Sequence, residues 1–320
     1  MSARVRGSRA FVVRPAILGA LLVALIVSGC ATEPDEDRAI VEPAGETVKN
    51  LLVVDGVERS VIIRDADVDA GALVPAVVML HGAGGSGTYL ESVSGMSGVA
   101  KKNGFVVAYP DGTKTGEDIG GLAWNAGRCC GRPFRASIDD VGFISAVIDE
   151  LVTNHAVDPA RVYLAGFSNG GMLSYRFACD IGVTVGENPV AGIAVVGGAF
   201  NVLACAAPNP VSVLIVHGTA DPTVPYAGGP PSAPTIERLG KWTNASVADA
   251  SAFWAERDGC SSHSIAEDNG SVTVDSYDGC SDGTFLEVVS LIGGTHHWPT
   301  KARGDINASA LIARQFGLAN

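Results

Sequence analysis

The chain has few basic residues and only one long apolar run. It carries 22 Lys and Arg against 34 Asp and Glu, a formal net charge of −12 at pH 7, and no basic run follows Arg14. A nucleic-acid partner is therefore not expected, because such proteins present clustered positive charge. The apolar run, Ala16 to Val27, is roughly 12 residues long, whereas a bilayer-spanning helix needs about 20. A transmembrane anchor is disfavoured.

The same run fits an export signal. Four arginines and no acidic residue precede it, and Ser28-Gly29-Cys30 follows it like a lipobox. We expect a signal peptide over residues 1–29 and processing at Cys30. Lipidation of Cys30 would hold the protein on the outer face of a membrane; without it the protein would be secreted. Residues 30–48, which are acidic and contain proline, are expected to form a tether to a folded domain over residues 49–320.

The cysteines lack the C-x₂₋₄-C spacing typical of zinc sites, so no metal is expected. After Cys30 an even number of cysteines remains, which in an exported chain predicts disulfides. Cys260 and Cys280 border a short hairpin-like segment, residues 261–279, and are expected to pair. The connectivity of the others stays open: Cys129, Cys130, Cys179 and Cys205.

Strand-like and helix-like segments alternate through the folded domain. Several strand-like segments are near-continuous apolar runs, which are typical of strands buried on both faces. This alternation predicts an α/β fold with a doubly wound, mostly parallel sheet and a ligand site at the carboxyl ends of its strands. The predicted strands are residues 51–54, 57–64, 75–80, 105–109, 162–166, 190–196, 211–216 and 285–292. The predicted helices are residues 139–154, 171–179, 247–257 and 302–316. Two irregular segments, 111–136 and 220–246, are expected to rim the site.

A sharp turn, Gly166-Phe167-Ser168-Asn169-Gly170, separates a predicted strand from a predicted helix. This is the context of a nucleophile elbow. Asp221 and His296 follow later predicted strands, and the order Ser, Asp, His is that of the α/β-hydrolase fold. We therefore predict Ser168 as nucleophile, His296 as base and Asp221 as the carboxylate that orients it. Either His296 or the adjacent His297 could serve as the base, and the other would then line the pocket or be solvated.

A glycine-rich segment, Leu80-His81-Gly82-Ala83-Gly84-Gly85-Ser86, follows another apolar strand. Glycines allow backbone N–H groups to approach a ligand closely, and the segment lacks the Lys-Ser/Thr of a phosphate-binding loop. We predict that the amides of Ala83 and Asn169 form an oxyanion hole. Trp124 and Trp298 are candidate pocket walls because their flat apolar faces suit an aromatic or polyester chain, although core packing explains a tryptophan equally well.

Six blocks of the chain resemble the secreted polyhydroxybutyrate depolymerase and feruloyl esterase family of α/β hydrolases, and the resemblance as a whole extends from about residue 50 to about residue 315. The blocks are residues 80–86, 124–131, 139–143, 166–171, 217–226 and 293–299. The resemblance implies an α/β-hydrolase fold without a separate lid domain. It also implies serine esterase activity on polyester oligomers or on plant-wall phenolic or acetyl esters, without a cofactor. The family's histidine falls on His296, which favours His296 over His297.

Two other interpretations remain open at this point. A serine peptidase of the same fold would use the same triad, and a surface-binding protein could keep the scaffold with an idle triad. A fluorophosphonate probe separates these classes, because only an activated serine is labelled. The expected partners are a small-molecule or oligomeric ester substrate and, through the lipid anchor only, a membrane. The protein is expected to be a monomer, and the sequence does not single out one natural ester.

Overall fold

A computed structural model describes most of the predicted folded domain. The described residues are 12–13, 49–54, 56–68, 71–116, 120–184, 190–202, 204–205, 209–231, 239–303 and 306–319. The predicted leader, Cys30 and the acidic tether lie outside them, apart from Val12 and Val13. None of the helices formed by the described residues combines the length and the apolarity needed to cross a bilayer.

The chain alternates strands and helices, as the sequence predicts. The strands are β1 (Val12–Val13), β2 (Lys49–Val54), β3 (Val57–Arg64), β4 (Val74–Leu80), β5 (Val106–Pro110), β6 (Thr113–Lys114), β7 (Leu122–Ala123), β8 (Val157–Phe167), β9 (Gly192–Val196), β10 (Ser212–Gly218), β11 (Ser262–Asp268), β12 (Val272–Asp278) and β13 (Leu286–Leu291). The helices are α1 (Gly87–Ser94), α2 (Met96–Asn103), α3 (Gly131–Arg135), α4 (Asp140–Asn154), α5 (Asn169–Thr184), α6 (Val247–Arg257) and α7 (Ala308–Gln315).

One large sheet runs through the molecule in the order β1-β2-β3-β5-β4-β8-β9-β10-β13-β12-β11. Its centre, from β5 to β13, is parallel, and antiparallel strands flank it on both sides. The predicted hairpin is present as β11 and β12, which extend the sheet beyond β13. A mostly parallel sheet brings the carboxyl ends of its central strands to one edge, where ligands bind in such folds.

Helices cover both faces of this sheet. Along β4, which is buried throughout, Val77 and Met79 pack with α1, α2 and α7, whereas Ala76, Val78 and Leu80 pack with α4, α5 and α6. Successive side chains of a strand point to opposite faces, so a strand between two helical layers must be apolar throughout. This confirms the predicted doubly wound α/β architecture.

Local signals set several helix boundaries. The Asp139 side chain accepts from the Gly142 amide (2.9 Å) and caps α4, and Ser246 with Asp249 forms a capping box at α6. The last helix begins later than predicted, because Asn307 caps it by accepting from the Ala310 amide (3.0 Å). The segment 301–303 before it is a 3₁₀ turn. What is described of the two irregular segments is mainly loop, with β6, β7 and α3 in the first of them.

Three disulfides cross-link the domain. Cys260 is bonded to Cys280, the predicted pair. The other two bonds join Cys129 to Cys130 and Cys179 to Cys205, a connectivity that spacing alone left open. The Cys179–Cys205 bond ties α5 to the segment that follows β9.

Candidate active site

Ser168 lies on the turn between β8 and α5. Its backbone φ is 55°, in the left-handed region that non-glycine residues rarely adopt. The flanking glycines are required by close packing: a Cβ on Gly166 would overlap the backbone of Gly170, and one on Gly170 would overlap the carbonyls of Leu80 and His81. The Ser168 amide donates to the Val196 carbonyl (2.8 Å). The turn therefore has the geometry of a nucleophile elbow.

His296 connects Ser168 to Asp221. Its Nε2 lies 3.0 Å from Ser168 Oγ, and its Nδ1 lies 2.7 Å from Asp221 Oδ2. Because a carboxylate only accepts, His296 Nδ1 carries the proton and Nε2 is left to accept from the serine hydroxyl. Three side chains from the ends of β8, β10 and β13 thus form one hydrogen-bonded chain, in the arrangement of a Ser-His-Asp triad.

Asp221 is nearly inaccessible and fully hydrogen-bonded. Its Oδ1 accepts from the amides of Thr223 (2.8 Å) and Val224 (2.9 Å). Burial acts to raise the pKa of Asp221, but hydrogen bonds from His217 and His296 outweigh it and bring this pKa far below its usual range. Asp221 is therefore an anion in the folded protein at neutral pH.

His217 is a residue that the sequence did not assign to the site. It is buried at the end of β10, with Nε2 2.8 Å from the Val224 carbonyl and 3.5 Å from Asp221 Oδ2. Nε2 therefore carries a proton that supports the turn on which Asp221 sits. The available signal was its position four residues before Asp221, at the end of an apolar strand.

His297 points away from this chain of hydrogen bonds. Its Nδ1 shares a hydrogen bond of 3.2 Å with Thr295 Oγ1, whereas His296 makes the bonds to Ser168 and Asp221. Its predicted place in the pocket wall is not seen, because the residues that line the cleft include His296 and not His297.

Two amides are available beside Ser168. Both Ala83 and Asn169 line the same cleft as Ser168. Within the described ranges, neither backbone N–H has an acceptor. The neighbouring amides are occupied: that of Gly84 donates to Leu122 (2.8 Å) and that of Gly85 to Gly82 (3.0 Å). The Asn169 amide also opens α5, where the helix dipole favours negative charge.

The buried His81 ring fixes the loop that carries Ala83. The Gly112 amide donates to His81 Nε2 (3.0 Å), so the proton is on Nδ1, which donates to the Gly82 carbonyl (2.8 Å). Burial lowers the pKa of His81 to about 4. The ring is therefore neutral at physiological pH and serves the backbone rather than a substrate.

A cleft of about 600 Å³ opens above Ser168. Both predicted irregular segments contribute to its rim, for example through Leu122 and Val224. Its aromatic walls are Tyr89, Phe167 and Trp242. No group of three His, Cys, Asp or Glu side chains in the described part of the chain is arranged to hold a metal ion.

The prediction that Trp124 and Trp298 line this cleft is wrong. Trp124 has no exposed surface and Trp298 only 4%. Each indole N–H is used inside the protein: that of Trp124 donates to the His81 carbonyl (2.8 Å), and that of Trp298 to Ser309 Oγ (3.3 Å). Trp242, within a segment predicted to be irregular, takes the place at the wall.

Residues 66–224 match the profile of a family described as esterase PHB depolymerase. Over these residues the chain is similar to this esterase family. It is 28% identical over 247 residues to feruloyl esterase B of Piromyces equi, covering 76% of this chain and 42% of that protein. It is 32% identical over 242 residues to the putative esterase NocK of Nocardia uniformis subsp. tsuyamanensis, covering 70% and 65%. The chain thus spans less than two thirds of the length of either relative.

A solved structure supports the fold of this chain. The acetyl xylan esterase from Aspergillus awamori superimposes with a TM-score of 0.53 at 14% sequence identity, over 82% of this chain and 94% of that one. The shared fold is that of the α/β hydrolases, as predicted.

Proposed function

We propose that this chain is an extracytoplasmic serine carboxylesterase, similar to polyhydroxybutyrate depolymerases, that cleaves esters through an acyl-enzyme. The observation that carries the proposal is the hydrogen-bonded chain Ser168–His296–Asp221 beside the open amides of Ala83 and Asn169. A nucleophile, a base in the correct tautomer and two donors for an oxyanion are the groups that acyl transfer needs.

Acylation begins with proton transfer. Ser168 Oγ attacks the ester carbonyl carbon while its proton passes to His296 Nε2, and the imidazolium is stabilised by the anionic Asp221. The carbonyl oxygen becomes an anion and is bound by the amides of Ala83 and Asn169. When the tetrahedral intermediate collapses, the C–O bond to the alcohol breaks and His296 returns the proton to the leaving alkoxide.

Deacylation repeats these steps with water. His296 Nε2 takes a proton from a water molecule, whose oxygen attacks the acyl carbon. The bond to Ser168 Oγ then breaks, and the same proton returns to the serine. The products are a carboxylic acid and a regenerated Ser168, with no oxidant, metal or cofactor consumed.

The cleft supports an ester with an apolar or aromatic acyl group. Tyr89, Phe167 and Trp242 give it flat apolar faces, and Leu239 and Met172 add flexible ones. Relatives named feruloyl esterase and acetylxylan esterase suggest plant-wall phenolic or acetyl esters, and the family description suggests polyester oligomers. We place the substrate of this chain within these classes of small-molecule or oligomeric ester.

Export is supported by the disulfides, which persist in oxidising compartments. The leader-like residues 1–29 and Cys30 extend this proposal to an outer-face lipoprotein, with a monomeric catalytic domain over residues 49–320.

Replacing the nucleophile tests the proposal. Ser168→Ala is expected to keep the fold and to lose about three to six orders of magnitude in kcat. The measurement is hydrolysis of p-nitrophenyl acyl esters, methyl ferulate, acetylated xylan and hydroxybutyrate oligomers, together with labelling by a fluorophosphonate probe. Ser264→Ala, at an exposed position on β11, is the matched control and should behave as wild type. A Ser168→Ala variant that kept more than a tenth of the wild-type turnover would exclude the assignment.

A further inference from the structure

The backbone of Trp124 is clamped by the side chain of Asn169. The Trp124 amide donates to Asn169 Oδ1 (2.8 Å), and Asn169 Nδ2 donates to the Trp124 carbonyl (3.2 Å). Asn169 is itself buried, and its own backbone amide is one of the two proposed oxyanion donors. Any displacement of the Trp124 backbone is therefore transmitted to the first residue of α5.

The indole of the same tryptophan reaches the other donor. Its Nε1–H donates to the carbonyl of His81 (2.8 Å), two residues before Ala83, and its ring lies 4.8 Å from the His81 ring, centroid to centroid. The His81 carbonyl lies one peptide before the Gly82–Ala83 peptide that presents the Ala83 amide, and the His81 ring bonds to the Gly82 carbonyl of that peptide (2.8 Å). Trp124 thus touches both sides of the oxyanion hole without entering the cleft.

A buried ion pair between Arg59 and Asp140 packs beside Trp124 and bonds to the residue that follows it. Asp140 accepts from the Asn125 amide (2.6 Å) and from Arg59 Nη2 (2.5 Å). The Arg59 guanidinium lies 5.5 Å from the centroid of the Trp124 ring and 3.6 Å from that of Phe143. Charge-assisted bonds inside a core hold their partners firmly.

We propose that Trp124 is a positioning residue that sets the distance between the Ala83 and Asn169 amides. The inference rests on the proposed esterase function. Oxyanion stabilisation depends on donors held at about 2.7–3.1 Å from the developing charge, and small displacements cost rate. Trp124 connects the two donors by three hydrogen bonds, so it acts on the transition state and not on ground-state binding.

Trp124→Phe removes the indole N–H and keeps an aromatic ring in the core. We expect kcat for p-nitrophenyl butyrate to fall about tenfold, less than the loss of a whole oxyanion donor, with KM within about twofold of wild type. Affinity for phenylboronic acid, whose tetrahedral adduct uses the oxyanion hole, should fall by a similar factor. The pH profile of kcat should keep its shape, because His296 and Asp221 are unchanged.

Trp254→Phe is the matched control. Trp254 is also fully buried, on α6, but its indole N–H has no hydrogen-bond partner among the described residues. Trp254→Phe should lower the free energy of unfolding through lost packing and leave kcat and the affinity for phenylboronic acid unchanged.

Asn169→Ala is an independent second variant. It keeps the backbone amide of residue 169 and removes both bonds to Trp124, so it should also lower kcat at nearly constant KM. The double variant should lose less than the product of the two single effects, because both act through one connection. Asn169→Ala carries the test if Trp124→Phe does not fold.

The outcomes separate the inference from the function on which it rests. The positioning role is overturned if the wild type is active and Trp124→Phe keeps the kcat and the boronate affinity of the wild type. If only Asn169→Ala folds, the same result in that variant overturns it. The proposed esterase function stands in either case. A folded wild type that neither hydrolyses esters nor reacts with a fluorophosphonate overturns the proposed function itself.

Discussion

Asp221 Oδ2 lies 2.7 Å from His296 Nδ1 and 3.5 Å from His217 Nε2, and of these two histidines only His296 also reaches Ser168. His217 lies on the other side of the carboxylate and bonds to the Val224 carbonyl. Burial acts to raise the pKa of Asp221, and the two histidines together with the Val224 amide outweigh it and lower this pKa. In the proposed reaction Asp221 stays anionic and stabilises the His296 imidazolium.

Replacing His296 and His297 one at a time by alanine tests which imidazole acts as the base. His296→Ala should match Ser168→Ala in its loss of kcat, because among the described side chains His296 is the one hydrogen-bonded to Ser168 Oγ. His297→Ala, the same chemical change one residue later, should keep kcat within several-fold, since its Nδ1 bonds to Thr295. Steady-state kinetics on one soluble ester decides, and the opposite ranking would move the role of base to His297.

The proposed triad could be read from the sequence because each member follows a strand whose apolar run is easily recognised. The elbow glycines around Ser168 gave the first position, and chain order gave Asp221 and His296. Burial of individual tryptophans could not be read. Tertiary packing buries Trp124 and Trp298 and leaves Trp242 at the cleft, and no local pattern carries that information.

At the scale of elements, the loop after β4 is held by the His81 side chain and by backbone pairing with Leu122, in addition to its own turn from Gly82 to Gly85. His81 bonds to both Gly82 and Gly112, and the Leu122 backbone pairs with the loop through Gly84 and Gly85. This loop is therefore part of the rigid scaffold. Because His81 is neutral in the folded protein, the free energy of unfolding depends on pH.

Acidification should weaken the fold through His81. Its pKa is about 4 in the folded protein, against about 6.5 unfolded. Between these pH values the unfolded chain binds a proton that the folded protein does not, so the free energy of unfolding falls as pH falls from about 6.5 to 4. His81 faces Asp111 and Arg59, whose charges act in opposite directions and are smaller than burial.

His81→Gln removes the titrating group, and its free energy of unfolding should therefore depend less on pH. The measurement is denaturant unfolding of both proteins at pH 7, 5.5 and 4.5, taken as a difference because other groups titrate in the same window. If the free energy of unfolding depends equally on pH in the wild type and in His81→Gln, His81 does not control the loss of stability between pH 6.5 and 4.

The predicted strands were confirmed wherever an apolar run is buried on both faces, as in β4, β5 and β10. The helices α1 and α2 were missed. They are short, α1 begins at Gly87 close to the Tyr109 backbone, and Gly95 between them has a positive φ. Such helices are stabilised by packing against the sheet and carry little signal of their own.

At the scale of the whole molecule, the net charge and the disulfides are consistent with an exported protein. The chain is acidic, with 34 Asp and Glu against 22 Lys and Arg, and three disulfides lie within the described residues. An acidic body is repelled by anionic lipid headgroups, so attachment to a membrane would rest on the N-terminus.

Lipidation at Cys30 can be tested in cells that express the full chain. The native protein should partition with membranes or detergent, and Cys30→Ser should be released or remain unprocessed. The motivation is the Val27-Ser28-Gly29-Cys30 boundary that follows an apolar run. A mature wild-type protein found wholly in the soluble secreted fraction, with another N-terminus, would contradict lipidation and leave the esterase proposal untouched.

The positive φ of Ser168 has a consequence for engineering this protein. Ser168→Gly would remove a Cβ from a backbone conformation that disfavours it, a gain of about 1 kcal/mol, or roughly 2–4 °C in Tm for a domain of this size. Ser168→Ala keeps the Cβ, so calorimetry of the two inactive variants separates backbone strain from the lost hydroxyl. Selection for thermal stability alone would therefore favour loss of the nucleophile, and any thermostability screen of this protein must select for turnover at the same time.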